Sequence, residues 1–81
     1  MKNLTFDTKA YDNIRRCRPA GVAQWRFAVT VILMNGATVM DVMTTPKLPY
    51  GDAKLLIRGR IRDITEKRGK LACGVALVLP S

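Results

Sequence analysis

The sequence contains no histidine and only two cysteines, Cys17 and Cys73, among its 81 residues. The missing histidine removes the commonest general base and the commonest transition-metal ligand. The cysteines lie far apart without a CxxC spacing, and the few acids are scattered, so no credible set of zinc ligands remains. A glycine-rich phosphate loop of the GxxxxGK[ST] type is also missing. We therefore expect no catalytic residue, no metal and no cofactor, and hence a protein that is not an enzyme.

The sequence also lacks long apolar segments. No apolar run reaches the roughly 18–20 residues that a membrane helix requires. No apolar segment follows Lys2, as it would in a secretory signal peptide. We therefore expect a cytoplasmic protein without a membrane partner. In that reducing compartment the cysteines should be free, partly buried thiols and not a disulfide.

Acidic residues are scarce, since 6 Asp and Glu stand against 14 Lys and Arg, for a formal net charge of +8. The excess is concentrated in residues 1–24, with five bases and two acids, and residues 46–70, with eight bases and three acids. Residues 25–45 carry one charge of each sign, and residues 71–81 carry none. A basic face attracts polyanions. The partners to expect are therefore nucleic acid or an acidic protein surface.

The composition is that of one folded domain spanning residues 1–81. A hydrophobic content of 48% argues against disorder despite the charge, and a chain of this length builds a single modest core. The clearest local signal is a β-hairpin, in which Asn35-Gly36 joins the β-rich residues 25–34 and 37–45. A two-residue turn at this point would place Met34 opposite Ala37 and Val29 opposite Val42.

This register predicts which side chains share a face of the hairpin. The predicted core face carries alternate residues of both strands: Trp25, Phe27, Val29, Val31, Leu33, Met40 and Val42. The other face is more apolar than a solvated sheet face should be. Its apolar residues are the candidate partner interface: Ile32, Met34, Val39 and Met43. An exposed apolar patch with methionines is typical of an interface and favours a homodimer, although cover by the N-terminal segment is equally consistent.

Two helices are predicted, one on each side of the hairpin in sequence. The first runs from a cap at Asp7 or Thr8 to Cys17, with Ala10, Tyr11, Ile14 and Cys17 facing inward. The second covers residues 53–67, with Asp52 as its N-cap, apolar residues at 53, 56, 57, 61 and 64, and a stop at Gly69. Gly59 inside this helix costs about 1 kcal/mol relative to alanine. It marks either a close approach of another backbone or a tolerated weak point.

The predicted fold is a small α+β domain. Residues 71–79 are all apolar or glycine, which predicts a strand that is either covered on both faces or paired centrally. If residues 4–6 also form a strand, the order β-α-β-β-α-β matches a ferredoxin-like arrangement, a single antiparallel sheet backed by two helices. If they do not, the sheet has three strands. Neither arrangement implies a function.

Two basic clusters are the candidate nucleic-acid-binding residues. The first cluster is Arg15, Arg16 and Arg18, whose guanidinium groups suit phosphate contacts. The second is a helical row at four-residue spacing, followed by a basic end: Lys54, Arg58, Arg62, Lys67, Arg68 and Lys70. Both helices should pack on one side of the sheet, which would join the clusters. For the first cluster, a solvated helix end is an equally good interpretation.

Two hypotheses of function follow from these surfaces. The leading one is a non-enzymatic basic protein that contacts nucleic-acid phosphates through the two helices, without reading base sequence. The alternative is a small inhibitor or adaptor of the kind found in phages and mobile elements. Such a protein would bind a host complex, for example a defence or nucleic-acid-processing machine, by protein–protein contacts.

Overall fold

The strands and helices follow one another in the predicted order, β-α-β-β-α-β. A computed structural model describes residues 3–80. The elements are β1 (Leu4–Asp7), α1 (Lys9–Arg15), β2 (Val22–Leu33), β3 (Thr38–Pro49), α2 (Tyr50–Arg68) and β4 (Leu71–Val78). The α+β class is confirmed, and residues 4–6 do lie in a strand. No helix within residues 3–80 is both long and apolar enough to cross a membrane.

The four strands form one mixed sheet in the order β1-β4-β2-β3. β4 pairs parallel with β1 and antiparallel with β2, and β2 pairs antiparallel with β3. The uncharged β4 occupies an interior position, as predicted, while the four-residue β1 lies at an edge. The prediction of a wholly antiparallel sheet is therefore wrong, because β1 and β4 are parallel. The strand order also does not confirm the ferredoxin-like arrangement. Among the described strands, β1 lies at the edge of the sheet and pairs with β4 alone.

The β2–β3 hairpin turns through three residues, Met34, Asn35 and Gly36. The Leu33 N–H donates to the Ala37 carbonyl at 2.8 Å, and the Gly36 N–H donates to the Leu33 carbonyl at 2.9 Å. Gly36 has a φ of 90°, which completes a type I turn followed by a bulged glycine in the left-handed region. The predicted two-residue turn is wrong, and the true register is displaced by one residue.

A displacement of one residue exchanges the two faces of β3. Phe27 pairs with Met43 and Thr30 with Met40. Met43, predicted on the outer face, is 7% exposed in the core. Met40 and Val42, predicted in the core, are 75% and 50% exposed. The faces of β2 are confirmed, because its buried residues are those predicted: Trp25, Phe27, Val29, Val31 and Leu33.

The core lies between one face of the sheet and α2, which buries Ala53, Ile57 and Ile61. This helix begins at Tyr50, earlier than predicted, and Asp52 lies in its first turn instead of at the N-cap. It ends at Gly69 as predicted, where the Gly69 N–H donates to the Thr65 carbonyl at 3.2 Å.

α1 packs on the same side of the sheet as α2, because the rings of Tyr11 and Trp25 lie 5.8 Å apart. The helix ends at Arg15, and Arg16 adopts a left-handed φ of 60°. The predicted extension to Cys17 is therefore wrong. Three of its predicted inward residues are exposed: Ala10, Ile14 and Cys17. A helix this short brings only Tyr11 of these four to the core. Both cysteines are free, as expected, but exposed instead of partly buried.

Candidate functional site

α2 carries four side chains at four-residue intervals, Tyr50, Lys54, Arg58 and Arg62. This spacing places them along one side of the helix. At a rise of about 1.5 Å per residue the row is about 18 Å long. Tyr50 and Lys54 are half-buried, whereas Arg58 and Arg62 are exposed. The row, which we call the α2 row, therefore starts against the core and ends in solvent.

The N-terminal end of the α2 row forms one wall of a groove of about 270 Å³. The groove lies between α2, the end of β1 and the segment after α1. Its lining combines aromatic, basic and small side chains: Phe6, Thr8, Arg18, Pro19, Tyr50 and Lys54. Arg18 of the first predicted cluster thus shares a groove with Lys54 of the second. Folding brings two basic segments together that are far apart in the sequence.

Aromatic rings position the cations of this region. The Lys54 Nζ lies 5.1 Å from the centre of the Tyr50 ring, and the Arg58 Cζ lies 5.2 Å from the centre of the Phe6 ring. Phe6 and Tyr50 in turn contact the buried ring of Phe27, with centroids 5.9 and 6.4 Å away. Each cation–π contact contributes about 0.5–1 kcal/mol at an exposed site. The two cations are therefore held in place by rings that belong to the core.

Tyr50 is one of two neutral polar side chains that line the groove, with Thr8. Burial raises the pKa of Tyr50, and the negative charge of Asp12 raises it further. The Thr8 hydroxyl donates to Asp12 Oδ2 at 3.0 Å, whereas the buried Asp12 Oδ1 has no hydrogen-bond partner among residues 3–80. Because both effects favour the protonated form, Tyr50 keeps its hydroxyl proton at neutral pH and can act as a hydrogen-bond donor.

The rest of the first cluster lies at the end of α1. The Arg15 Cζ is 5.9 Å from the centre of the Tyr11 ring, and Arg16 is exposed just after the helix. Since Tyr11 packs against Trp25, these arginines lie on the helix side of the sheet, the side that also carries the α2 row.

The remaining predicted cations, Lys67, Arg68 and Lys70, lie at the opposite end of α2. From Lys54 to Lys67 the helix extends about 20 Å at its ordinary rise. The basic end packs against the hairpin turn, where the Asn35 side-chain amide donates to the Arg68 carbonyl at 3.0 Å. The structure therefore separates this second basic patch from the groove.

Sequence reasoning missed Phe6 and Tyr50 as parts of the site. The signal for Tyr50 was present, because it continues the spacing of Lys54, Arg58 and Arg62 by one step toward the N-terminus. Recognising it required the helix to begin at Tyr50, directly after Pro49. Phe6 carried no comparable signal, because its position beside Arg58 depends on the pairing of β1 with β4.

Two of the four residues predicted for the partner interface do not lie on the exposed face, and binding of a partner by the other two stays a prediction. Ile32 and Met34 are exposed, as expected, but Met43 is buried and Val39 packs partly against the core. The one-residue change of register moved both of them to the core side. Large exposed apolar residues that share the outer face with Ile32 are Met40, Val42 and Leu77. A three-residue loop with glycine in its last position is the next commonest hairpin turn, and it would have predicted Met40 and Val42 on this face.

Comparison with known proteins returns no match for this chain. No protein-family model matches it, and neither does any curated protein or any solved structure. Within residues 3–80, no group of three or more His, Cys, Asp and Glu side chains is placed to hold a metal ion. Function therefore has to be inferred from the residues of the groove and the α2 row.

Proposed function

We propose that this protein binds nucleic acid without catalysing a reaction, through phosphate contacts made by the groove and the α2 row. The single observation that carries the proposal is the groove, where Arg18 and Lys54 converge from two separate basic segments. Arg58 and Arg62 extend this positive surface along the helix. A nucleic-acid strand lying along the row would meet cations over about 18 Å of its length.

The chemistry of these side chains suits phosphate binding. Guanidinium groups form paired hydrogen bonds with phosphate oxygens, and the Tyr50 hydroxyl adds a neutral donor. Lys54 and Arg58 are held against rings, so less side-chain freedom is lost when they bind. Phosphates carry no base information. The binding is therefore expected to depend little on sequence.

The spacing of the row favours a nucleic acid over an acidic protein surface. Successive members of the row are about 6 Å apart along the helix axis. Each strand of a nucleic-acid duplex presents a phosphate every 3.4 Å or so along its axis. A nucleic-acid strand that follows the row therefore offers phosphates at a regular and close spacing. Carboxylates on a folded protein surface have no such regular spacing, so an acidic protein is the weaker candidate.

The proposal is tested by titrating salt against binding to labelled duplex DNA, single-stranded DNA and RNA. Affinity should fall linearly on a logarithmic scale as salt increases, since binding releases counterions. The double variant Arg58→Gln/Arg62→Gln should weaken binding to all sequences alike. It should also reduce the steepness of log affinity against log salt concentration by about 1 for each phosphate contact that is lost.

A matched control removes two positive charges from the hairpin instead, with Arg26→Gln/Lys47→Gln. Both residues are exposed on the hairpin, outside the groove and the α2 row. This control should keep most of the affinity and of the salt slope. Equal losses of affinity in the two double variants would mean that binding depends on net charge alone and not on the α2 row. Absence of binding at low salt would overturn the proposal, and a nuclease-resistant complex with one acidic protein would then favour the alternative.

A further inference from the structure

The face of the sheet opposite the helices is left uncovered by residues 3–80. We call it the open face. Both helices pack on the other side, as the contact of Tyr11 with Trp25 and the buried Ile57 of α2 show. Large apolar side chains on β2, β3 and β4 remain exposed there: Ile32, Met40, Val42 and Leu77. A contiguous apolar surface of this kind marks an interaction site.

The open face differs from the helical side in charge. Side chains alternate between the faces of a strand, and the register assigns those of Asp7, Arg26 and Lys47 to the open face. These are the charged strand residues of this face among those described, and all three lie toward the end of the sheet where β2 begins. One acid and two bases leave the open face with a net charge of +1, against +8 for the whole chain.

We propose that the open face binds a second copy of this chain, forming a two-fold dimer with the sheets face to face. Two copies that each carry a net charge of +8 repel one another where their basic helices meet. The open face avoids this repulsion, and it turns both helical layers outward.

The area of the open face is sufficient for a dimer. With strands about 4.8 Å apart and a rise of about 3.3 Å per residue, each strand residue covers roughly 16 Å² of one face of the sheet. The four strands, of 4, 12, 12 and 8 residues, therefore give the whole open face an area of roughly 570 Å². Two such faces together bury about 1,000 Å², the size at which a specific protein–protein interface begins. The dimer is therefore expected to dissociate on dilution.

The two free cysteines provide a test with an internal control in the native protein. Cys73 pairs with Ile32 on β2, so its side chain belongs to the open face, whereas Cys17 lies after α1. Both are exposed in the monomer. The probe is N-ethylmaleimide, and mass spectrometry gives the labelling rate of each thiol. The ratio of Cys73 to Cys17 labelling should fall several-fold as protein concentration rises, while the mass by light scattering rises from 9.0 kDa toward twice that value.

A pair of variants identifies the surface that forms the contact. Met40→Glu places a carboxylate on the open face, and Leu55→Glu makes the same charge change on α2, where Leu55 is 61% exposed. Met40→Glu should abolish both the increase in mass and the protection of Cys73, whereas Leu55→Glu should preserve them. Circular dichroism checks that both variants are folded, and Val42→Thr provides a milder change if Met40→Glu is not.

Three results would overturn the proposal. The first is a labelling ratio and a mass that stay constant up to the highest soluble concentration. The second is a dimer in which Cys73 remains as reactive as in the monomer. The third is a dimer that survives a folded Met40→Glu or Val42→Thr variant unchanged but is lost in Leu55→Glu, which would place the contact on the helices.

Discussion

At the scale of single residues, Thr45 shows how one hydroxyl stabilises an irregular stretch of the sheet. Its side chain is 1% exposed. The Thr45 Oγ1 accepts a hydrogen bond from the Trp25 N–H at 3.1 Å and donates one to the Pro46 carbonyl at 2.9 Å. These bonds lie where the β2–β3 register shifts between Gln24 and Arg26. The threonine therefore supplies the partner that this irregularity removes from the Trp25 N–H.

Replacing Thr45 with valine keeps the shape of the side chain and removes both hydrogen bonds. The buried Trp25 N–H is then unpaired, so the free energy of unfolding should fall by about 1–3 kcal/mol. The control is Thr44→Val, the same change at the exposed neighbouring position, with an expected effect within about 0.5 kcal/mol. Urea unfolding of dilute protein, monitored by Trp25 fluorescence, measures both. Equal effects in the two variants would contradict this role of Thr45.

At the scale of elements, the turn of the hairpin decided which predictions succeeded. The alternation in β2 predicted its buried face correctly because burial on one face imposes a period of two. The faces of β3 failed because Asn35-Gly36 fits a loop of two or of three residues. Leu33 closes this loop with Ala37, a contact that no local pattern distinguishes from the alternative. The error then passed to Val39 and Met43 in the predicted interface.

Helix α2 was predicted better than the sheet because its signals are local. The apolar spacing of Ala53, Ile57 and Ile61 and the stop at Gly69 lie within the segment itself. The neighbours of β1 depend instead on residues almost a full chain length away, since Leu4 pairs with Gly74. For the same reason the basic row of the candidate site was visible in the sequence, whereas Phe6 beneath Arg58 was not.

Gly59 inside α2 and Gly69 directly after its end should respond in opposite ways to substitution by alanine. A Cβ at Gly59 would meet no atom within 4 Å, so no other described backbone approaches it. Gly59→Ala should therefore stabilise the protein by about 0.5–1 kcal/mol through helix propensity. Gly69 has a φ of 134°, and a Cβ there would lie 3.1 Å from the Asn35 side-chain nitrogen. Gly69→Ala should destabilise it. Thermal unfolding of both variants checks the signs, and a loss of stability in Gly59→Ala would contradict the open environment.

At the scale of the whole molecule, the sheet separates two surfaces of different character. The helical side holds the groove, the α2 row and the basic end near Lys67 and Arg68. The open face holds exposed Met40 and Val42 and little charge. Two copies of a chain with a net charge of +8 repel one another. Because most of this charge lies on the helical side, that side can attract a polyanion while the open face contacts a second copy with less repulsion.

The two proposed interactions should therefore respond to salt in opposite directions. Nucleic-acid affinity should fall as salt rises, since counterion release drives it. Dimerisation should strengthen, because salt shortens the Debye length from about 30 Å at 0.01 M to about 10 Å at 0.1 M and screens the repulsion between copies. Sedimentation equilibrium and fluorescence anisotropy over the same salt series measure the two constants. A dimer that weakens as salt rises would have to be held by ion pairs, in contradiction to an apolar open face.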